Sequence, residues 1–179
     1  MRYLRNEVRE PRLDDVVLSL CAEMLLVGGV ESARDVARAR CEEAVSSGQA
    51  AEIFGRMVAA LGGPKDFLEN YDTHLQKASV VRPIHGDGVV VEVDTRAVGN
   101  AIIELGGGRR QVGEKLDLSV GFSEIAPVGA ELGADRPLAV VHAASESDAD
   151  RAAENIRKAC KTGASAPPER PVISEILTG

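Results

Sequence analysis

The stretch from Val89 to Phe122 constrains the fold more than any other part of this sequence. It opens with VVVEV at residues 89–93, a β-branched run too short for a free-standing helix and typical of a strand. Asp94 or Thr95 can then accept a hydrogen bond from the first free N–H groups of a helix. Gly106 supplies the left-handed residue that ends this helix. Apolar residues at helical spacing in between are expected to cover the neighbouring strands: Val98, Ile102 and Leu105.

Residues 13–75 have the apolar spacing of helices and contain no strand-like pattern. The second of these helices is expected to start at Ser32 as N-cap, with Asp35 in its first turn. A third helix covers residues 53–61, and a shorter one covers residues 65–75. The first helix carries an apolar stripe at i, i+3, i+4 and i+7 spacing, made of Leu13, Val16, Val17, Leu20, Met24 and Val27.

The pattern becomes strand-like near Ser79. Pro83, which follows Val80-Val81, suits an edge strand because proline cannot donate to a sheet. Residues 85–88 (HGDG) lie between two apolar runs and predict a hairpin turn. The sequence therefore predicts an α+β protein, with helices first and then a compact module of short, mostly antiparallel strands.

The end of the chain is read as a strand, a helix and a tail. Residues 138–141 (LAVV) form the last expected strand, and Ser145 opens a helix. Residues 163–171 are rich in Ala, Ser and Pro and predict a linker or tail. The expected buried face of the last helix consists of Ala149, Ala152, Ala153, Ile156 and Cys160.

Composition narrows the function classes. The net charge of −7 argues against a nucleic-acid or anionic-membrane surface. No segment approaches the roughly 20 apolar residues of a membrane span, and residues 1–10 have no apolar core of a signal peptide. The three cysteines have no CxxC spacing and the three histidines no zinc-ligand spacing. We therefore expect free thiols, no metal, no cofactor and a cytoplasmic location.

Several segments closely resemble bacterial thymidine phosphorylase, in its C-terminal part. They are GGGRRQ (106–111), DLSVGFSEIA (117–126) and RPLAVVHA (136–143), with PRLDDVVLSLCAEML (11–25) and AAEIFGRMVAALGGPKDFLENY (50–71) upstream. The resemblance implies that residues 1–76 form the end of the family's central α/β domain. It also implies that residues 77–162 form the pyrimidine-nucleoside-phosphorylase C-terminal domain, described as a hammerhead-like mixed α/β barrel, and residues 163–179 a Pro/Ala-rich tail.

The family converts thymidine and phosphate to thymine and 2-deoxyribose 1-phosphate. Its phosphate lies in a KHSTGGVGD-type motif, and its base is held by an Arg, a Ser and a Lys; this sequence contains neither set. No catalytic residue is therefore assigned, and we expect the chain to be inactive alone. It is expected to be a truncated reading frame, an expressed domain or one half of a split enzyme. Its expected partner is the missing N-terminal part of the phosphorylase or a second copy of itself.

Three other features could carry chemistry. The turn of Gly107, Gly108, Arg109 and Arg110 is either an anion-binding nest or simply a helix cap with solvated arginines. In SVGFS (119–123) both serines lack, in sequence, a histidine or acid placed to activate them. A biotinyl- or lipoyl-like module is the alternative from another class, but Lys115 lacks the flanking residues of a carrier lysine.

Overall fold

The computed structural model describes residues 1–177 and divides them into two compact units. The first, here called the helical unit, comprises residues 1–74 together with residues 170–177. The second, called the mixed unit, comprises Leu75–Glu169. Helices and short antiparallel sheets both occur, so the α+β class predicted from the sequence is confirmed.

The helical unit has four helices: α1 (Pro11–Val27), α2 (Arg34–Ser46), α3 (Gln49–Ala60) and α4 (Phe67–His74). Helix α1 begins where its sequence favours a start. Pro11 occupies the first turn, where its missing N–H costs nothing, and the Glu10 carboxylate accepts hydrogen bonds from the backbone N–H groups of Arg12 and Leu13. Gly48, at φ +84°, adopts the left-handed conformation in the tight turn from α2 to α3.

The predicted N-cap of α2 is wrong. The helix starts at Arg34, and its N-cap is Ala33, which offers no side-chain hydrogen bond. Ser32 lies one residue too early to reach the free N–H groups of the first turn. Asp35 does lie in that turn, where a carboxylate favours the helix dipole.

Helix α1 packs on α2 through a narrow face that the apolar stripe does not include. Leu18 and Ala22, only 2% and 1% exposed, form the buried side of α1. Two ion pairs border this contact: Asp15 to Arg38 at 2.9 Å and Glu23 to Arg34 at 2.7 Å. The predicted stripe lies on the opposite side and is largely open to solvent, so the helical unit leaves an apolar face without a partner.

The mixed unit contains two three-stranded antiparallel sheets. The first sheet has the order β1-β5-β3 and the second the order β4-β2-β6. Its elements in chain order are β1 (Val80–Ile84), β2 (Gly88–Val93), α5 (Thr95–Glu104), β3 (Gly121–Ser123), β4 (Glu131–Leu132), β5 (Ala139–Ala143), α6 (Glu146–Ala159) and β6 (Cys160–Gly163).

Helices α5 and α6 both begin at their predicted caps. The Asp94 side chain accepts a hydrogen bond from Ala97 N at 2.9 Å, and Ser145 Oγ accepts one from Asp148 N at 3.2 Å. The five residues predicted for the buried face of α6 all lie in one core, although the last of them, Cys160, belongs to β6. Val98 of α5 and Leu105 at its C-cap join this core, whereas Ile102 is only half-buried. Eighteen buried hydrophobic residues make this core, against five in the helical unit, so most of the burial lies in the mixed unit.

The predicted hairpin at residues 85–88 is wrong. Strand β1 pairs with β5, with Val80 opposite Ala143 and Ile84 opposite Ala139, whereas β2 belongs to the other sheet. The turn therefore connects two sheets rather than two neighbouring strands. Pro83 does lie on an edge strand, as predicted. A short strand, β6, begins at Cys160, where the sequence pattern indicated only the end of a helix and a tail.

Candidate functional site

The four candidate site residues lie in the segment between α5 and β3, here called the glycine–arginine loop (residues 106–120). Gly106 has φ +97° and ends the helix. The next two glycines press against the helix they follow. A Cβ on Gly107 would lie 3.0 Å from Ile102 Cγ2, and one on Gly108 would lie 2.5 Å from Ile103 Cγ1. These two positions therefore need glycine for close packing, whatever else the loop binds.

Two backbone donors of this loop are already held by a carboxylate of the same chain. Glu114 Oε2 accepts hydrogen bonds from Arg110 N at 2.7 Å and from Gln111 N at 3.4 Å. These bonds, with the nearby Arg110 charge, lower the pKa of Glu114 below its ordinary value. The loop thus forms an anion-binding turn whose anion is Glu114. Sequence reasoning did not identify Glu114, although an acid four residues after an arginine was a usable signal.

A second carboxylate organises the other end of the loop. Asp117 Oδ1 accepts hydrogen bonds from Ser119 Oγ at 2.6 Å and Ser119 N at 2.9 Å, and the Asp117 N–H donates to Gly106 O at 3.0 Å. The bonds from Ser119 lower the pKa of the Asp117 carboxyl. Ser119 therefore does have an acid beside it, contrary to the sequence-based expectation, but its hydroxyl proton is used to close a local turn.

The tip of the loop presents charge and apolar surface to solvent. Arg109 and Arg110 are both exposed, and within residues 1–177 neither guanidinium forms an ion pair. Val112 is fully exposed and Leu118 is 72% exposed. A loop that combines free arginines with exposed aliphatic side chains has the surface chemistry of a contact with another macromolecule.

The structure places a histidine beside Ser123, which corrects the expectation that none could activate it. Ser123 Oγ lies 2.8 Å from His142 Nε2, with Ser123 on β3 and His142 on the adjacent strand β5. Either group can donate in this pair. Within residues 1–177 the other ring nitrogen has no carboxylate partner, so the arrangement lacks the third group of a hydrolase triad.

The other predicted features do not assemble into a site. Lys115 lies between α5 and β3, not at the tip of a two-stranded hairpin where a carrier lysine belongs. Over residues 1–177, no three His, Cys, Asp or Glu side chains come together as metal ligands. The cysteines Cys21, Cys41 and Cys160 are free, and burial raises the pKa of the Cys160 thiol. None of the helices in the described part of the chain combines the length and apolarity needed to cross a bilayer.

A shallow cleft of about 450 Å³ lies in the helical unit, lined in part by Arg5, Asn6 and Gly48. Two of its polar side chains, Arg5 and Asn6, are already hydrogen-bonded within the unit. The Arg5 guanidinium binds Glu7 at 2.8 Å and donates to Leu68 O at 3.2 Å, and Asn6 Nδ2 donates to Val45 O at 2.8 Å. These bonds connect the N-terminal segment to the helices. The cleft is therefore the place where this segment packs on the helices.

Comparison with known protein families agrees with this geometry. The family model described as the pyrimidine nucleoside phosphorylase C-terminal domain matches residues 89–163. The match begins in strand β2, includes the glycine–arginine loop and both α5 and α6, and ends with strand β6. It thus covers all but β1 of the elements that form the core of the mixed unit. Residues 89–163 of this chain are therefore similar to the C-terminal domain of the pyrimidine nucleoside phosphorylases.

Proposed function

We propose that this chain is the C-terminal part of a thymidine phosphorylase and does not catalyse phosphorolysis alone. The family match at residues 89–163 is the observation that carries the proposal. The resemblance of residues 11–25 and 50–71 to the same enzyme supports the proposal, and the preference for thymidine or uridine stays open. A cytoplasmic location belongs to the same proposal and is supported by the three free cysteines.

The proposed inactivity follows from what phosphorolysis requires. The reaction displaces thymine from the sugar by phosphate, so the protein must hold a phosphate nucleophile in line with the glycosidic bond and stabilise the charge on the departing base. The sequence contains no KHSTGGVGD-type motif and no set of base-binding residues. The one anion-binding turn of the glycine–arginine loop holds Glu114, which competes with any external phosphate.

The role we assign to the chain is structural. It docks on, and completes, a polypeptide that carries the residues that bind phosphate and the base. The exposed tip of the glycine–arginine loop supports a contact of this kind, with Val112 and Leu118 as its apolar part and Arg109 and Arg110 as its charged part. Aliphatic and arginine side chains side by side are typical of protein interfaces, where the guanidinium adds directional hydrogen bonds.

The first experiment measures thymine release from thymidine and inorganic phosphate by the purified chain, with an intact thymidine phosphorylase as positive control. We expect no turnover above the protein-free rate. A rate on the order of 1 per second, ordinary for an enzyme, would refute the proposed inactivity. A second experiment adds a polypeptide comprising the upstream part of a thymidine phosphorylase, with its KHSTGGVGD motif. Recovery of activity on mixing supports the docking role, and a mixture that neither associates nor reacts contradicts it.

A further inference from the structure

We propose that the glycine–arginine loop is a phosphate-binding site that the chain keeps closed with its own Glu114 carboxylate. The site, here called the Glu114 turn, consists of this carboxylate, the backbone N–H groups of Arg110 and Gln111, and the guanidinium groups of Arg109 and Arg110. A phosphate dianion is the ligand that the Glu114 turn takes when the carboxylate leaves. Such a site is independent of the proposed structural role of the chain, because all its groups lie within one loop.

The Glu114 carboxylate occupies the place of an external anion. Two consecutive backbone N–H groups converge on its Oε2 atom, from Arg110 N at 2.7 Å and from Gln111 N at 3.4 Å. Consecutive N–H groups that line one concavity are a means by which protein backbones bind phosphate and other anions. The second bond exceeds the usual length of about 3.2 Å, so the side chain fills this concavity incompletely. The carboxylate oxygen therefore shows where an oxygen of a bound phosphate would lie.

The guanidinium groups are the part of the site that Glu114 does not use. Arg109 and Arg110 are exposed, and across residues 1–177 neither guanidinium forms an ion pair. The two backbone hydrogen bonds and, to a lesser extent, the Arg110 charge lower the pKa of Glu114, so the turn favours an anion. A phosphate dianion offers more oxygens and more charge than a carboxylate, and it can bond the backbone donors and a guanidinium together.

The backbone of the loop is held in shape by bonds that do not involve the Glu114 side chain. Gly107 N donates to a carbonyl oxygen in the last turn of α5 at 3.0 Å, and Asp117 N donates to Gly106 O at 3.0 Å. Between these points, Glu114 N donates to Gln111 O at 3.3 Å. Removal of the Glu114 side chain therefore leaves the curved backbone that presents the N–H groups.

Tethering explains why the site stays closed to free phosphate. Glu114 lies 4 residues from Arg110 in the same loop, so its carboxylate meets the backbone donors at an effective concentration on the order of millimolar or higher. Free phosphate at a lower concentration loses this competition. The Glu114 turn is thus an autoinhibited site, and removing the carboxylate should raise its phosphate affinity at least tenfold.

Phosphate titration of the full chain, followed by the amide resonances of Arg110 and Gln111 in NMR spectra, tests this proposal. At constant ionic strength and about pH 8, where phosphate is mostly dianionic, we expect Glu114→Ala to bind phosphate at least tenfold more tightly than the parent chain. The matched control is Glu154→Ala on α6, which removes the same charge from an exposed position outside the loop and should bind as weakly as the parent. Adding Arg109→Ala and Arg110→Ala to Glu114→Ala should remove the gain.

Hydrogen exchange provides a readout that does not require a measurable affinity in the parent chain. The N–H of Arg110 should exchange faster in Glu114→Ala than in the parent, because it loses its 2.7 Å hydrogen bond to Glu114 Oε2. Phosphate should slow this exchange in the variant and leave it unchanged in the parent. In Glu114→Gln the side-chain oxygen can still accept the bond but carries no charge, so its exchange rate should lie between the two.

The proposal is overturned by equal phosphate affinity in Glu114→Ala and the parent chain, or by exchange at Arg110 that phosphate leaves unchanged in this variant. A gain in affinity that Glu154→Ala reproduces would also overturn it, because the loss of any one negative charge would then be sufficient. So would a gain that survives the loss of both arginines, or equal resonance shifts when chloride replaces phosphate.

Discussion

Replacing Ile156 by alanine tests whether the core of the mixed unit holds this part of the chain together. Ile156 lies on α6, is completely buried and belongs to the single cluster that joins both sheets to α5 and α6. The substitution removes three carbon groups, worth about 2.4 kcal/mol at about 0.8 kcal/mol each. The cavity adds to this loss. Many neighbours in the cluster are alanines, such as Ala149, Ala152 and Ala153, whose side chains have no rotamers with which to fill the space.

The expected total is therefore in the upper part of the usual range, about 3–5 kcal/mol of unfolding free energy. For a domain of this size each kcal/mol shifts the melting temperature by about 4–8 °C, so the midpoint should fall by at least about 12 °C. Circular dichroism at increasing temperature measures the shift. Hydrogen exchange measured by mass spectrometry shows which unit is destabilised, because exchange should accelerate in residues 75–169 more than in residues 1–74.

Ile53→Ala is the matched control, since it makes the same chemical change on a helix where the side chain is 55% exposed. Its effect should stay within about 0.5 kcal/mol, and alanine's higher helix propensity partly offsets the lost contacts. If Ile156→Ala costs less than about 1 kcal/mol, or no more than Ile53→Ala, then the alanine-rich cluster relaxes freely and the reasoning above is wrong.

Three further results are expected from the loop, a helix cap and a half-buried tyrosine. Replacing both Arg109 and Arg110 by alanine should leave phosphate affinity as weak as in the parent chain, because Glu114 already occupies the backbone donors; micromolar calorimetric binding that disappears in the double variant would contradict this. Asp94→Ala should lower the unfolding free energy by about 1 kcal/mol through loss of its cap, whereas Asp94→Asn should retain most of it; equal melting temperatures would refute the capping role. Burial and the hydrogen bond to a carboxylate raise the pKa of Tyr3 from 10.0 to about 12. Because the folded pKa is the higher one, this stability is complete below pH 10 and is lost as the pH rises toward 12. The Tyr3→Phe variant should lack that loss, which denaturant titrations at pH 9 and pH 11.5 measure.

The elements that the sequence predicted best are those specified by residues close together in the chain. The caps of α5 and α6 depend on a side chain and an N–H group three residues away, so Asp94 and Ser145 could be identified directly. The buried face of α6 follows from its 3.6-residue period. Ser32 shows the limit of this reasoning, because a shift of one or two residues in the helix start is enough to remove a cap.

Contacts between distant residues were decided only by the tertiary structure. Strand β1 pairs with β5 rather than β2, so its partner lies far along the chain and the turn between β1 and β2 does not identify it. Ser123 and His142 meet for the same reason: their strands are neighbours in a sheet although 19 residues separate them. The apolar stripe predicted on α1 is likewise not the side that is buried, and only the tertiary structure showed that Leu18 and Ala22 form that side. The periodic pattern shows which face of a helix is apolar, whereas the burial of that face depends on which other elements lie against it.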